Sequence, residues 1–289
     1  MSLVFSSVYM ELHDLLMVES ANFSVRQQNM ACERVNSNLD IAMEGGSINF
    51  FSHPTHRVVP MRFLLAEMCH MLAGKNDIET MESYNSGMRK YSNDGTTLGA
   101  SYGEKICKQL PVALGKLRTD PFTRQACCSI FQRYEGENAT LTHIPCNVFL
   151  QFLMRDEKLH LIVTSRSSDF VTGFSIDTVH WQMLLAYMAN SLDRQPGMLH
   201  YNIGSLHIYE KDMEVIKHWD VEKMKDTPYS HTIRVYKTLE TVMADCAKHF
   251  TKDMKVSELC DLLGLTQLSM AICNFNQDVF VLYRNKLAR

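Results

Sequence analysis

Side chains able to do chemistry crowd into one stretch of this 289-residue chain, THIPCNVFLQFLMRDEKLHLIVTSRSSDFVTGFSIDTVHW, from Thr142 to Trp181. Cys146 follows Pro145 at the entrance to an apolar run. A thiolate is a working nucleophile, and a guanidinium nearby lowers a thiol pKa from its ordinary value of about 8.5. Arg166 stands one hairpin further on, close enough in a sheet to supply that field. Its planar fork also suits a phosphate, with the Ser167 hydroxyl as a second donor. The plainer alternatives are a buried structural cysteine and a local ion pair between Arg166 and Asp169. Asp177 is equally two-sided. A carboxylate at the start of a helix is a standard N-cap. An ionised carboxylate, which only accepts, also suits the exocyclic amine of a cytosine. Composition and spacing leave both open. A nucleophile, an anion grip and a hydrogen-bonding carboxylate on adjoining elements point to an enzyme acting on a pyrimidine nucleotide.

The elements that must position these groups follow from periodicity and punctuation. Residues 126 to 134, 147 to 155, 159 to 165 and 199 to 209 are short, apolar and rich in β-branched or aromatic side chains, and are expected to be strands. Asp156-Glu157-Lys158 marks a hairpin turn, and residues 178 to 192 a buried helix that Asp177 opens. Pro60 opens another helix, PMRFLLAEMCHML, which Gly74 closes. Within it Glu67 is either a carboxylate on the solvent face or a half-buried acid with a raised pKa, available for proton transfer. In Leu98-Gly99-Ala100-Ser101-Tyr102-Gly103, two glycines bracket a tyrosine and suggest a tight backbone that aims the phenol; a packed loop tyrosine is the alternative. Helical spacing covers 8 to 20, and 21 to 58 is expected to be irregular with a turn at Gly45-Gly46. After Pro228 the spacing predicts helices over 231 to 250, 254 to 264 and most of 266 to 287, a mostly helical segment from about residue 229 onward. No repeat, low-complexity tract or linker divides the chain, so a single domain over 1–289 is expected.

Composition narrows the class. A net charge of -3 leaves no electrostatic footprint for a nucleic-acid polymer, although a mononucleotide needs only a few arginines. No apolar run is long enough for a membrane span, and the N-terminus lacks the basic region of a secretory signal. The nine cysteines are odd in number and contain no C-x-x-C, which fits a reducing cytoplasm, and no structural metal is expected.

At these residues the sequence resembles the thymidylate synthase superfamily. The family pattern is a Pro-Cys nucleophile, Arg-Ser-x-Asp, Gly-x-Pro-Phe-Asn and Gly-Asp-x-His-x-Tyr. Its counterparts are Pro145-Cys146, Arg166-Ser167-Ser168-Asp169, Gly173-Phe174-Ser175-Ile176-Asp177 and Gly204-Ser205-Leu206-His207-Ile208-Tyr209. Order and spacing agree from about Glu67 to Tyr209, and SRSSDFVTGFSIDTVHWQ with NIGSLHIY is especially similar to the deoxycytidylate hydroxymethylases of T-even bacteriophages. The resemblance implies an α/β fold, a large mixed β-sheet flanked by helices, and a sheet-to-sheet homodimer. It implies that Cys146 adds to carbon 6 of the pyrimidine and makes carbon 5 nucleophilic toward 5,10-methylenetetrahydrofolate. Arg166, Ser167 and, across the dimer interface, Arg124 would hold the phosphate, with Arg26 (or Arg34 in its place) as the early phosphate arginine. His207 and Tyr209 would bind the sugar hydroxyl. Glu67 would organise proton transfers through water, Tyr102 would stand near the carbon 5 proton, and Asp169, with Gly173, would face the folate.

The departures from the pattern are informative. Asp177 replaces the Asn of thymidylate synthases, so an ionised group would repel the uracil carbonyl and favour cytosine's amine. Mispaired buried polar groups cost on the order of 1–3 kcal/mol, enough to separate substrates. Arg124-Gln125 replaces an arginine pair, Asn147 replaces the histidine after the nucleophile, and the only tryptophans are Trp181 and Trp219. The chain ends in RNKLAR rather than in the synthase's small apolar tail, which favours capture of the exocyclic methylene by water over reduction. The expected activity is conversion of dCMP or CMP to its 5-hydroxymethyl derivative. The rivals are a folate-dependent dCMP methylase and a catalytically silent nucleotide- or RNA-binding protein on the same fold.

Overall fold

A computed structural model of the chain describes residues 23–25, 28–51, 60–217 and 230–266. Its strands, in chain order, are β1 (Phe23–Val25), β2 (Gln28–Ala42), β3 (Ile48–Phe51), β4 (Cys127–Ser129), β5 (Asn147–Arg155), β6 (Lys158–Ser165), β7 (Ser168–Asp169), β8 (Gln195–Tyr209), β9 (Ser230–Val235) and β10 (Leu265–Thr266). Among the described residues the main sheet has the order β1-β2-β8-β6-β5-β4, with β7 alongside β8. β6 and β7 run parallel to β8 while the other pairs are antiparallel, so the sheet is mixed. A smaller sheet joins β10, β9 and β3.

A parallel pair needs a crossover, and here the helix Gly173–Ser191 carries the chain from β6 and β7 back to β8. Every residue from Phe174 to Ala189 on that helix is buried. A helix enclosed all round must have neighbours on every side. Its neighbours include both sheets and the helices Leu239–His249 and Met61–Leu72, and His180 is tied to the latter by donating from Nε2 to the Leu64 carbonyl at 2.9 Å. Burial pushes the His180 imidazole down to about pKa 4, so it stays neutral and serves packing.

Alternation along the strands gives the main sheet two different faces. Leu150, Phe152, Leu161, Val163, Leu199 and Tyr201 point into the core. Across the sheet, Phe149 lies level with Thr164, Gln151 with Ile162, and Leu153 with His160, all only half-buried on the opposite face. No helix among the described residues is long and apolar enough to cross a membrane.

The hairpin β5–β6 matches its expected limits closely, and its turn has Asp156 and Glu157 at positive φ, 50° and 59°. The helix after Pro60 and the turn at Gly45-Gly46 also appear as expected. Four expectations are corrected. Residues 28–42, read as irregular, form a 15-residue strand. A bulge between Met30 and Cys32 and a left-handed Asn36 (φ 58°) break the period of two that would have revealed it. Residues 230–235, read as helical, are β9, paired with β3, and helix begins only at Leu239. The strand expected over 126 to 134 is confined to Cys127–Ser129, and a short helix follows at Arg133–Glu137. The buried helix starts at Gly173, five residues before its expected opening. The expected helices over 8 to 20 and beyond 266 lie outside the described residues.

Candidate active site

Cys146 precedes the first residue of β5 and is partly accessible. The Arg166 backbone N–H donates to the Cys146 carbonyl at 2.9 Å, continuing the hairpin ladder to its open end. The Arg166 side chain then folds over the same loop. Nε donates to the Pro145 carbonyl at 2.9 Å, and Nη2 donates to the Ile144 carbonyl at 3.1 Å and faces the Cys146 Sγ at 3.6 Å. The guanidinium that sequence spacing placed near the thiol is therefore against it, where it favours the thiolate. Arg166 is exposed, and its five N–H bonds exceed these three contacts, leaving donors for an anion. Ser167 follows on the same turn, and its carbonyl accepts from the Ser165 hydroxyl at 2.8 Å. Gly204 allows β8 to reach this turn, since a Cβ there would stand 2.8 Å from the Arg166 carbonyl oxygen.

Asp177 is not an N-cap. It lies inside the buried helix, whose N-cap position is Thr172, and only 9% of it is exposed. Its Oδ2 accepts from Asn147 Nδ2 at 2.8 Å and lies 3.4 Å from the Tyr201 hydroxyl. Tyr201 also donates to Asn147 Oδ1 at 2.9 Å, and Asn147 Nδ2 donates to the Tyr102 hydroxyl at 2.8 Å. Tyr102 stacks on Trp181 at 5.5 Å, and Gly103 lets its short helix approach the Met71 backbone, where a Cβ would meet the carbonyl at 2.4 Å. The phenol is aimed, as the glycine bracket suggested. Sequence reasoning did not single out Tyr201. A tyrosine on the inward face of a strand was the available signal, because a buried hydroxyl requires a partner.

Glu67 and Asp177 are close enough to influence each other. Burial first, and then the Asp177 charge, push the Glu67 carboxyl up to about 8. Burial pushes Asp177 up to about 7, opposed by its hydrogen bonds from Asn147 and Tyr201. Asp177 thus ionises first and Glu67 keeps its proton, which divides the pair into an acceptor and an acid near neutral pH. Burial, followed by the charges of Asp177 and Cys146, keeps Tyr102 a neutral phenol.

The Asp169 carboxylate accepts from the Val171 N–H at 3.0 Å. β7 lies beside β8, with Asp169 level with His207. His207 is 5% exposed; its Nδ1 donates to the Ser205 carbonyl at 3.4 Å, and its Nε2 is buried with no partner among the described residues. In that tautomer Nε2 is an acceptor. The Tyr209 ring packs edge-on against His207 at 4.8 Å. Asp212, which sequence reasoning missed, stands near Asp169 with a buried Oδ2 lacking a partner among the described residues; burial, then the Asp169 charge, raises its carboxyl. Gly173 begins the buried helix with only the Ser168 Oγ, at 3.8 Å, near where a Cβ would be.

One of the expected phosphate ligands, Arg124, is not gathered with the rest within this subunit. Arg124 is exposed beside edge strand β4, and its carbonyl accepts from the Gln151 side chain at 2.8 Å. Gln151 is four residues along β5 from Asn147, roughly 13 Å at the rise of a strand. Arg26 lies outside the described residues. Arg34 lies on β2, level with Leu206 and one residue from the Glu33–His207 pair.

The family model for thymidylate synthase matches residues 9–258. The chain belongs to the thymidylate synthase family. The family's one-carbon donor is 5,10-methylenetetrahydrofolate, and the neighbouring carboxyl groups of Asp169 and Asp212 are compatible with it. A deoxyuridylate hydroxymethyltransferase of Bacillus phage SP01 is 31% identical over 179 residues, covering 56% of this chain and 47% of that protein. A protein of the same name from Pseudomonas phage M6 is 30% identical over 156 residues, covering 52% and 44%. A thymidylate synthase of Mycoplasma pneumoniae is 27% identical over 133 residues, covering 44% and 46%. The chain spans about half the length of the curated relatives it matches. The relatives it matches include, by name, both hydroxymethyltransferases and a synthase.

Proposed function

We propose that this protein is a folate-dependent nucleotide C5 hydroxymethyltransferase acting on dCMP, or on its ribose counterpart CMP, by way of a Cys146 adduct. The observation that carries the substrate is Asp177, buried and relieved of any capping duty, with its Oδ2 engaged by Asn147. In its ionised form Asp177 accepts from the cytosine amine and stabilises a protonated ring nitrogen while the thiol adds. Arg166 and Ser167 hold the phosphate, and His207 Nε2 accepts from the sugar hydroxyl with Tyr209 beside it. Cys146 attacks carbon 6 as a thiolate under the Arg166 guanidinium, and the displaced electron pair makes carbon 5 nucleophilic. When bound, 5,10-methylenetetrahydrofolate supplies one carbon at the oxidation level of formaldehyde. Tyr102 faces the carbon 5 proton, Glu67 passes protons through water, and Asp169 with Gly173 faces the folate. Water completes the hydroxymethyl group, so the net reaction consumes dCMP, methylenetetrahydrofolate and water and yields 5-hydroxymethyl-dCMP and tetrahydrofolate.

The names of the two phage relatives support hydroxymethylation and favour a second substrate, dUMP. Asp177 in its protonated form would donate to the uracil carbonyl, so dUMP is the competing assignment. A turnover panel of dCMP, CMP and dUMP with product masses separates these outcomes. A product heavier than dCMP by a hydroxymethyl group is expected. A methyl product with dihydrofolate formation would sink the hydroxymethylase assignment, and sole turnover of dUMP would sink the cytosine assignment. Cys146→Ala should abolish tritium release from carbon 5, by about 10³-fold or more.

We also propose a homodimer through the half-buried sheet face, where Phe149, Leu153 and Ile162 are only partly covered. The Arg124 loop is anchored to Gln151 on that same face, which would let Arg124 reach the phosphate of the second copy.

A further inference from the structure

Asn147 departs from the family pattern, and its side chain is the hub of the base end of the site. It is fully buried, and each of its polar atoms is committed. Nδ2 donates to Asp177 Oδ2 and to the Tyr102 hydroxyl, both at 2.8 Å, while Oδ1 accepts from the Tyr201 hydroxyl at 2.9 Å. The amide has one workable orientation. Turned over, its oxygen would face the carboxylate of Asp177, and its NH2 would replace the acceptor that Tyr201 needs.

Two consequences follow from that orientation. Asp177 has Oδ2 bound from behind, so Oδ1 is the oxygen left to meet a base. The Tyr102 oxygen accepts from Asn147, so the phenol's single proton cannot point back into the cluster and is directed elsewhere. Trp181, stacked at 5.5 Å, holds the ring that carries it. A residue adjacent to the nucleophile in sequence thereby sets the hydrogen-bonding sense of two other groups.

We propose that Asn147 is a specificity-determining positioning residue: it fixes Asp177 as an acceptor toward the pyrimidine and turns the Tyr102 proton toward the substrate, with Tyr201 locking the amide. The direction of the specificity rests on the cytosine assignment above; the positioning role does not.

The test is the ratio of dissociation constants for dCMP and dUMP, measured by titration calorimetry without folate. Asn147→Asp keeps the shape but replaces the donor with a second carboxyl group, so the pair must share a proton and Asp177 becomes a donor for part of the time. The preference for dCMP should fall by about fivefold or more. Tyr201→Phe keeps the packing and releases the amide, and should move the ratio in the same direction by about threefold or more. General loosening of the core would weaken both nucleotides alike and leave the ratio in place. Smaller changes than these in folded protein would overturn the proposal, and Tyr201→Phe decides alone if Asn147→Asp does not fold. If the wild type prefers dUMP, the cytosine assignment fails. The positioning role then survives only if the variants shift that preference by the same factors.

Discussion

At the proposed base end of the site, Tyr102, Asn147, Asp177 and Tyr201 satisfy one another within a single chain. The phosphate end is open: Arg166 is exposed and tied to the loop of Cys146, while Arg124 stands exposed at the edge of the sheet. The contrast follows from what each end must recognise. A base is told apart by one donor or acceptor, which only a rigid, dry environment can present unambiguously. A phosphate is held by charge over a longer range and tolerates an open or shared grip. Under the proposed function, discrimination would be built inside the subunit, and general nucleotide affinity would be left to groups a second subunit can complete.

The strongest test of this contrast is Asp177→Asn, which should exchange dCMP preference for dUMP, changing the ratio of kcat/KM by about 10³-fold. An unchanged ratio would reduce Asp177 to a structural polar group and remove the distinction between the two ends. The phosphate end is addressed by mixing subunits. Arg124→Ala and Cys146→Ala should each be inactive or severely impaired alone. Exchange of subunits should restore about a quarter of wild-type sites, because half the dimers are mixed and each holds one intact site. No recovery after demonstrated exchange would place Arg124 outside the partner's site.

The smallest expected effects concern protons. With Asp177 near 7 and Glu67 near 8, kcat/KM for dCMP should rise as Asp177 ionises and fall as Glu67 loses its proton, giving a narrow bell between those values. Both carboxyls are raised on folding, so the folded protein binds more protons than the unfolded chain above the ordinary carboxylate range. Stability should therefore decline as pH rises from about 4.5 toward 8. Glu67→Gln removes its share of that penalty, so the variant should melt a few degrees above wild type at pH 8.5 but not at pH 4. It should also lose about 10²-fold in turnover. A wild-type melting temperature that holds constant from pH 5 to 8 would contradict the assignment of raised carboxyls.

The sequence by itself determined the parts that depend on short-range order. The hairpin carrying Cys146 and Arg166 was legible because Asp156-Glu157 closes a two-residue turn between two alternating strands, which fixes register locally. The Glu67 helix was legible from Pro60, Gly74 and apolar spacing. The motifs at Pro145-Cys146 and at residues 166–169, 173–177 and 204–209, in order, also sufficed for the family. Tertiary structure decided the rest. β2 gains its shape from pairing with β8, more than 150 residues away, and its own polar, bulged sequence carries no such signal. Whether Asp177 capped a helix depended on where that helix began. Burial against the sheet and the Glu67 helix let it start at Gly173 without a side-chain cap, and a single turn of extra helix moved Asp177 from a helix end into the core. Asn147 looked like a mere departure from pattern until β5, β8 and two helices brought its three partners around it, because hydrogen-bond partners distant in sequence are chosen by packing.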